Sequence, residues 1–391
     1  MNNRRQEIME LLFARALAGE GAVHTNPLVA AGLVKDGELI DLAAHREFGG
    51  PHAEAALLDK YSGSLQGLEL YCTLEPCVHR GKTEPCVNRI LATDLEAVTF
   101  AHVDPHPQVQ GRGMKKILEA GRSVVTPVQR SRYRWLNRAY FYNQCTGMPW
   151  LEAKLALSVD GYIATKTHHS QWLSGPESRH HTHLLRSRVD AVMVGAETVR
   201  RDDPSLTDRV TGRKPQPRSV VITTRPDSLP GGLTLLSERA ADTILVIPCR
   251  TAVGVEQQLL ERGLTLIKCE LHDGRYRWPE VLSRLYEVDI GRILVEGGGG
   301  IVGDLISSQL LNELHLFNCG HVLGSGVRSA QLRDKTEKVY NAPRFKLLEQ
   351  RRFGEDIYVR RISRQSLRCG GLHLTPHPRL RQQLTGLEFR G

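Results

Sequence analysis

The first regular pattern in the chain is helical. Ile8, Leu11, Leu12 and Leu17 recur at helix spacing across residues 6–18, which predicts an amphipathic helix that Gly19-Glu20-Gly21 ends. A strand through Val34 and a tight turn at Asp36-Gly37 follow. Ala55-Ala56-Leu57-Leu58 reads as helix, Leu68 to Leu74 as strand, and Glu75-Pro76-Cys77 as the opening of the next helix. Val98 to Val103 is a further strand, and Gln110-Gly111-Arg112-Gly113 leads into a helix ending at Ala120-Gly121. Alternating strands and helices of this length point to a layered α/β/α domain. Residues 127–149 read as a helical connector closed by Gly147-Met148-Pro149.

Trp150 then opens a fresh strand that turns at Asp160-Gly161. Farther on, a buried strand from Arg292 to Glu296 runs into Gly297, Gly298, Gly299 and Gly300 and an apolar helix. Such a turn either brings backbone close to a phosphate at a helix N-terminus or packs tightly; both readings stand. It lacks the G-x-G-x-x-G spacing, which argues against a Rossmann site. The predicted organisation is α/β throughout: one domain over 1–146, a second over 147–363, and a basic, poorly ordered tail over 364–391.

Length and composition add bounds. A chain of 391 residues can bury two cores. No run of about 18 apolar residues exists, so no membrane-spanning helix is expected. The apolar stretch from Ile8 to Ala18 is broken by Glu10 and Arg15, which argues for a mature cytoplasmic protein. Of eight cysteines only Cys77 and Cys86 lie in a motif, so no disulfide framework is expected. The net charge of +9, with five arginines against Glu388 in the tail, suits nucleic acid or a phosphorylated small molecule, or only a solvated surface. No aromatic-interleaved basic stripe supports the first.

The sharpest chemistry lies at Pro51-His52-Ala53-Glu54 and Pro76-Cys77…Cys86. One histidine and two cysteines give three soft ligands, and a zinc held by three protein ligands keeps its fourth position for water. Zinc lowers the pKa of that water to roughly 7, so a hydroxide nucleophile exists at neutral pH. Glu54 can take its proton and hand it on, the H-x-E…P-C arrangement of zinc deaminases. A closed structural zinc would need a fourth ligand, and His79 could serve by chemistry alone. Asn26 before Pro27 is either a turn former or a side chain that holds a ligand. Arg186 and Arg209 have the fork geometry for a phosphate, or are surface ion-pair partners. His168, His169, His180, His181 and His183 show no consistent i,i+4 face with an acid, so no second metal site is expected.

Nucleobase deaminases space their cysteines as P-C-x-x-C, whereas eight residues separate Cys77 from Cys86. The insert C-V-H-R-G-K-T-E-P-C resembles that of the bifunctional deaminase–reductase family of riboflavin biosynthesis, the RibD type. The resemblance covers roughly residues 6–362. Asn26-Pro27-Leu28-Val29 resembles N-P-x-V-G, with Ala30 for the glycine. The stretch from Lys154 to Gly161 resembles K-x-A-x-S-x-D-G, and Ser170 to Gly175 resembles S-x-W-I-T-G. Arg179 to Arg186 resembles A-R-x-x-V-H-x-L-R, Asp202 to Arg209 resembles D-D-P-x-L-T-x-R, and Val295-Glu296-Gly297-Gly298 resembles the start of V-E-G-G-x-x-L.

The resemblance implies a cytidine-deaminase-like three-layer α/β/α domain followed by a dihydrofolate-reductase-like α/β domain. It implies one zinc, NADPH, and a small phosphorylated pyrimidine as substrate. Asn26, His45 and His79 would meet the substrate in the first half, and Lys154, Ser170, Arg186, Leu206, Arg209 and Glu296 in the second. Ala156, Trp172, Thr198, Asp202, Thr224 and Gly297 to Gly300 would hold the cofactor, with Lys154 and Asp202 the polar candidates for a general acid. The chain departs from the family at His106, where an asparagine is usual, at Thr223 and Thr224, which replace Asp and Ser, and at Asp41 and Ala43, which replace two glycines. No nucleic acid or membrane partner is expected, and a homo-oligomer, dimer or tetramer, is. An enzyme with one active half, or a nucleic-acid-directed zinc deaminase, are the alternatives.

Overall fold

The computed structural model describes residues 2–80, 84–125, 130–332 and 337–366. The chain divides into two compact units, with the break between Cys145 and Thr146. From residue 367 on, the expected tail lies outside the described residues.

In the first unit, α1 (Asn2–Ala16) begins earlier than its apolar pattern and buries Ile8, Met9, Leu12 and Phe13. β1 (Ala30–Lys35) and β2 (Glu38–Ala44) form a hairpin. Asp36 and Gly37 both have positive φ, as a two-residue hairpin turn of matching twist requires. α2 (Ala53–Leu58), β3 (Glu69–Cys72), α3 (Cys86–Leu91), β4 (Ala97–Phe100), α4 (Arg112–Glu119) and β5 (Ser123–Val125) follow, and α5 (Arg130–Leu136) and α6 (Arg138–Thr146) close the unit. The sheet runs β2-β1-β3-β4-β5, antiparallel on the β1 side and parallel from β3 to β5.

The helix expected at Cys77 does not form there; it starts at Cys86, after Pro85. The reason is visible at Glu75, whose buried carboxylate accepts the backbone N–H groups of Asp104 (3.1 Å), Gly111 (2.9 Å) and Met114 (3.0 Å). That side chain serves the start of α4, and the polar insert after Cys77 has no apolar spacing to sustain a helix of its own.

The second unit is built on one nine-stranded sheet. In chain order its strands and helices begin with β6 (Trp150–Leu157), β7 (Tyr162–Thr165), α7 (Pro176–Arg186), β8 (Ala191–Gly195) and α8 (Ala196–Asp202). Next come β9 (Arg218–Ile222), β10 (Thr243–Pro248), α9 (Val253–Glu261), β11 (Thr265–Cys269), β12 (Leu271–His272) and β13 (Arg275–Tyr276). α10 (Trp278–Glu287), β14 (Arg292–Glu296), α11 (Gly299–Ser307), β15 (Glu313–Asn318), β16 (Gly326–Arg328), β17 (Phe345–Phe353) and β18 (Asp356–Ser363) complete it. The large sheet runs β11-β10-β9-β8-β14-β6-β15-β18-β17. All pairings are parallel except those of β18, while β7 pairs with β16 and β12 with β13 in two small sheets.

The central strand β6 explains where the site lies. Leu151, Ala153 and Leu155 point into the larger apolar core, which leaves Glu152, Lys154 and Ala156 on the opposite face. That face carries a buried ionic lattice. Glu152 accepts from Arg292 Nε (2.6 Å) and His315 Nε2 (2.9 Å), His315 Nδ1 meets the Tyr358 hydroxyl at 2.7 Å, and Glu313 pairs with Arg360 at 2.6 Å. Glu152, Glu313 and His315 could chemically hold a metal, but each carboxylate already has its own arginine.

Candidate active sites

In the first unit, His52 caps α2 in extended conformation and Cys86 is the first residue of α3. Cys77 comes from the preceding loop, its carbonyl accepting Val87 N–H and its sulfur accepting Cys86 N–H at 3.3 Å. His52 Nδ1 lies 3.5 Å from Cys77 Sγ and 3.3 Å from Cys86 Sγ, and all three ligand atoms fall within 4.8 Å of one another. Ligands on a tetrahedral ion at bond lengths of roughly 2.0–2.3 Å sit roughly 3.3–3.8 Å apart, so this donor set fits zinc.

Protons are unevenly held here. The hydrogen bond from the Cys86 thiol lowers Cys77 to about 4 against the pull of burial, with His52 adding to the effect. Cys86, as its partner, is raised, and the bond to Cys77 raises His52. Glu54, buried on the first turn of α2, is pushed up to about 7 by burial, with His52 opposing. A bound dication would lower it.

Asn26 and His45 meet: the Asn26 amide reaches His45 Nε2 (3.1 Å), and His45 Nδ1–H donates to the Pro51 carbonyl (2.9 Å). A carbonyl at Nδ1 can only accept, which fixes the tautomer, and the rings of His45 and His52 stand edge to face at 5.5 Å. Asn137 holds the Asn26 segment by bonding both Leu28 N–H (2.7 Å) and its carbonyl (3.1 Å). His79 stands outside the three-ligand cluster and stacks on His106, ring centroids 5.0 Å apart.

The second unit holds a cavity of about 740 Å³. Lys154, Ala156, Ser170 and Trp172 line it from β6 and the loop after β7, and Arg186 from α7. Thr198 and Asp202 come from α8, Leu206 and Arg209 from the following loop, and Glu296 with Gly297 to Gly300 from the β14–α11 turn. Thr224 is not among the lining residues. β9 ends at Ile222, Thr223 turns inward with its carbonyl taken by the Tyr276 hydroxyl (2.5 Å), and Thr224 is exposed beyond it.

The four glycines divide into two pairs. A Cβ on Gly297 would lie 2.8 Å from Thr198 Oγ1, and one on Gly299 would lie 2.2 Å from the Arg328 carbonyl. Gly298 and Gly300 face open space. Gly297 and Gly299 thus fit the tight-turn reading, and Gly298 and Gly300 leave the space that the ligand reading requires.

Arg186 is a bridge rather than a free cation. It grips Glu296 at both oxygens (2.6 and 3.0 Å) and donates to the Thr207 carbonyl (3.0 Å). Burial drives the Glu296 carboxyl up, but the charge and bonds of Arg186, with Lys154, outweigh it and hold Glu296 low. Burial depresses Lys154, whose ammonium stands 5.8 Å over the Phe317 ring, and Glu296 opposes that shift. Sequence reasoning assigns no site role to Arg179, which stacks on Trp172 at 4.8 Å, or to His183; both line the cavity. A signal for them exists: residues 179, 183 and 186 fall on one face of a helix.

Family matching agrees with this division. The cytidine and deoxycytidylate deaminase zinc-binding region matches residues 2–102, and the RibD C-terminal domain matches residues 149–359. The riboflavin biosynthesis protein RibD of Bacillus amyloliquefaciens is 32% identical, over 89% of this chain and 93% of its own length. Among solved structures, Acinetobacter baumannii RibD superposes with a TM-score of 0.83 at 29% identity, covering 93% of this chain and 99% of that one. A Thermotoga maritima diaminohydroxyphosphoribosylaminopyrimidine deaminase/5-amino-6-(5-phosphoribosylamino)uracil reductase gives 0.76 at 27%, covering 93% and 99%. The chain belongs to the RibD family of riboflavin biosynthesis, joining a zinc-dependent deaminase half to an NADPH-dependent reductase half.

Proposed function

We propose that His52, Cys77 and Cys86 hold the zinc, and that the substrate is the diaminopyrimidine ribosyl phosphate class named for the Thermotoga protein. The observation that carries the assignment is the convergence of these three donors beside a buried Glu54. Zinc, when bound, supplies an activated water at neutral pH. Glu54 carries two protons in turn: the first from the attacking water to the ring nitrogen, the second from the hydroxyl so added to the amine, which departs as ammonia while the carbonyl forms. Asn26, with its amide tied to His45, presents its remaining polar atoms to the pyrimidine, and His79 with its stacked partner His106 borders the same substrate.

In the reductase half NADPH supplies the hydride that converts the ribosyl group to ribityl. Ala156, Trp172, Thr198, Asp202 and the Gly297–Gly300 turn hold the cofactor, with Gly298 and Gly300 leaving room for its phosphates. Ser170, Leu206, Arg209 and Glu296 bind the substrate, and exposed Arg209 is the better phosphate ligand because Arg186 is committed to Glu296. Lys154 is favoured over Asp202 as proton donor to the ribose oxygen, since burial lowers its hold on the proton.

The boundaries follow as 1–146 for deamination and 147–363 for reduction, supported by the break at Cys145/Thr146. We place the enzyme in the cytoplasm because the seven described cysteines are unpaired. A homo-oligomer, dimer or tetramer, is supported by the exposed Val159 and Val322, held side by side by the Val159 N–H to His321 carbonyl bond; light scattering tests it. The functional test is to give zinc-loaded protein the pyrimidine and then NADPH. Ammonia release followed by NADPH oxidation is expected. Ammonia alone would sink the reductase reading, and neither signal would sink both.

A further inference from the structure

We propose that His183 is a positioning residue for the reductase, acting through the loop that presents Leu206 and Arg209; this rests on the substrate-site reading above. The loop is unusual at its centre. Leu206 sits at φ +52, the left-handed region that a branched residue rarely adopts, with its side chain buried in an apolar cluster. Its own N–H and carbonyl have no hydrogen-bond partner among the described residues. Strain of this kind persists only where the surroundings over-determine it, and it concentrates at ligand clamps.

The clamps can be named. Arg239 donates to the Ser205 carbonyl at 2.5 Å on one side of Leu206. On the other side, two α7 residues one turn apart converge on the Thr207 carbonyl: Arg186 Nη1 and His183 Nδ1, each at 3.0 Å. Arg209 N–H also approaches His183 Nδ1, at 3.3 Å; the shorter contact makes Nδ1 the donor to Thr207. Farther along, Asp208 N–H bonds Gln216 Oε1 at 2.8 Å. Arg186 is also gripped by Glu296, so its share of the clamp moves with that carboxylate. Through its bond to the Thr207 carbonyl His183 is tied only to the loop among these partners, and it therefore sets where Leu206 and Arg209, the neighbours of Thr207, stand whether or not Glu296 is engaged by substrate.

Two amides separate this role from direct contact with substrate. Asparagine places donor and acceptor where Nδ1 was, whereas glutamine reaches the Nε2 position instead. The probe is the deaminated pyrimidine made by the enzyme's own first half, with NADPH oxidation as the readout. His183→Leu is expected to raise the KM for that pyrimidine about tenfold, the worth of about one hydrogen bond, with kcat and the KM for NADPH within about twofold. His183→Asn should recover most of the loss and His183→Gln should not. Rescue by Gln and not Asn, a fall in kcat at unchanged KM, or no change in any variant would overturn the proposal. Thermal unfolding of the same preparations, followed on the reductase unit that carries His183, checks folding, and the Asn–Gln pair still decides if the Leu variant does not fold. A wild-type enzyme that fails to oxidise NADPH would instead refute the function reading beneath it.

Discussion

At the scale of single residues, the deaminase half reduces to one proton carrier and three ligands. Glu54→Gln keeps the shape of the side chain but cannot accept a proton, so zinc content should stay at one per chain while ammonia release falls about 10²- to 10⁴-fold. Cys86→Ser should lose the metal, read by atomic emission. His181 gives a test of a different kind. Its ring lies among Phe317, Phe353 and Tyr358, and burial pushes its pKa down to about 3. The unfolded chain protonates at an ordinary histidine value near 6.5, so between 6.5 and 3 the unfolded state binds the extra proton and stability falls as pH falls. The slope approaches about 1.4 kcal/mol per pH unit. His181→Phe should flatten the acid limb of thermal stability between about pH 6.5 and 4; an unchanged limb would mean that the imidazole is solvated.

At the scale of elements, the sequence pattern locates most strands and helices, because apolar alternation and glycine or proline punctuation are local signals. It misplaces what depends on distant partners. The helix expected at Cys77 starts nine residues later, because the Glu75 carboxylate is committed to backbone groups of Asp104, Gly111 and Met114. The strand read through to Thr224 ends at Ile222, two residues short of it. His183 and Arg179 emerge only when helical geometry is laid over a motif. The β14–α11 turn is legible as glycine-rich, but the division of labour among its glycines is not, since it is set by Thr198 and Arg328. That division predicts opposite phenotypes. Gly299→Ala drives a methyl into the Arg328 carbonyl and should cost roughly 1–3 kcal/mol in thermal unfolding. Gly300→Ala meets nothing, should leave stability unchanged or slightly raised, and should weaken NADPH binding in a titration.

At the scale of the molecule, each compact unit contains a whole set of candidate groups, so the two activities should fail independently. A chelator such as phenanthroline should abolish ammonia release and leave oxidation of NADPH by pre-deaminated pyrimidine unchanged; loss of both would mean that zinc also supports the reductase half. Within that half, the lattice of Glu152, Arg292, Glu313 and Arg360 has a consequence for how the sequence can drift. Removing one member strands its buried partner, at a cost of about 3–5 kcal/mol, a large share of the roughly 5–15 kcal/mol that holds a protein folded. Replacing a whole pair with apolar residues of similar volume is close to neutral. In evolutionary terms each group is inherited as one character, Glu313 with Arg360 and Glu152 with Arg292 and His315: its intermediates are purged, and change arrives jointly or not at all.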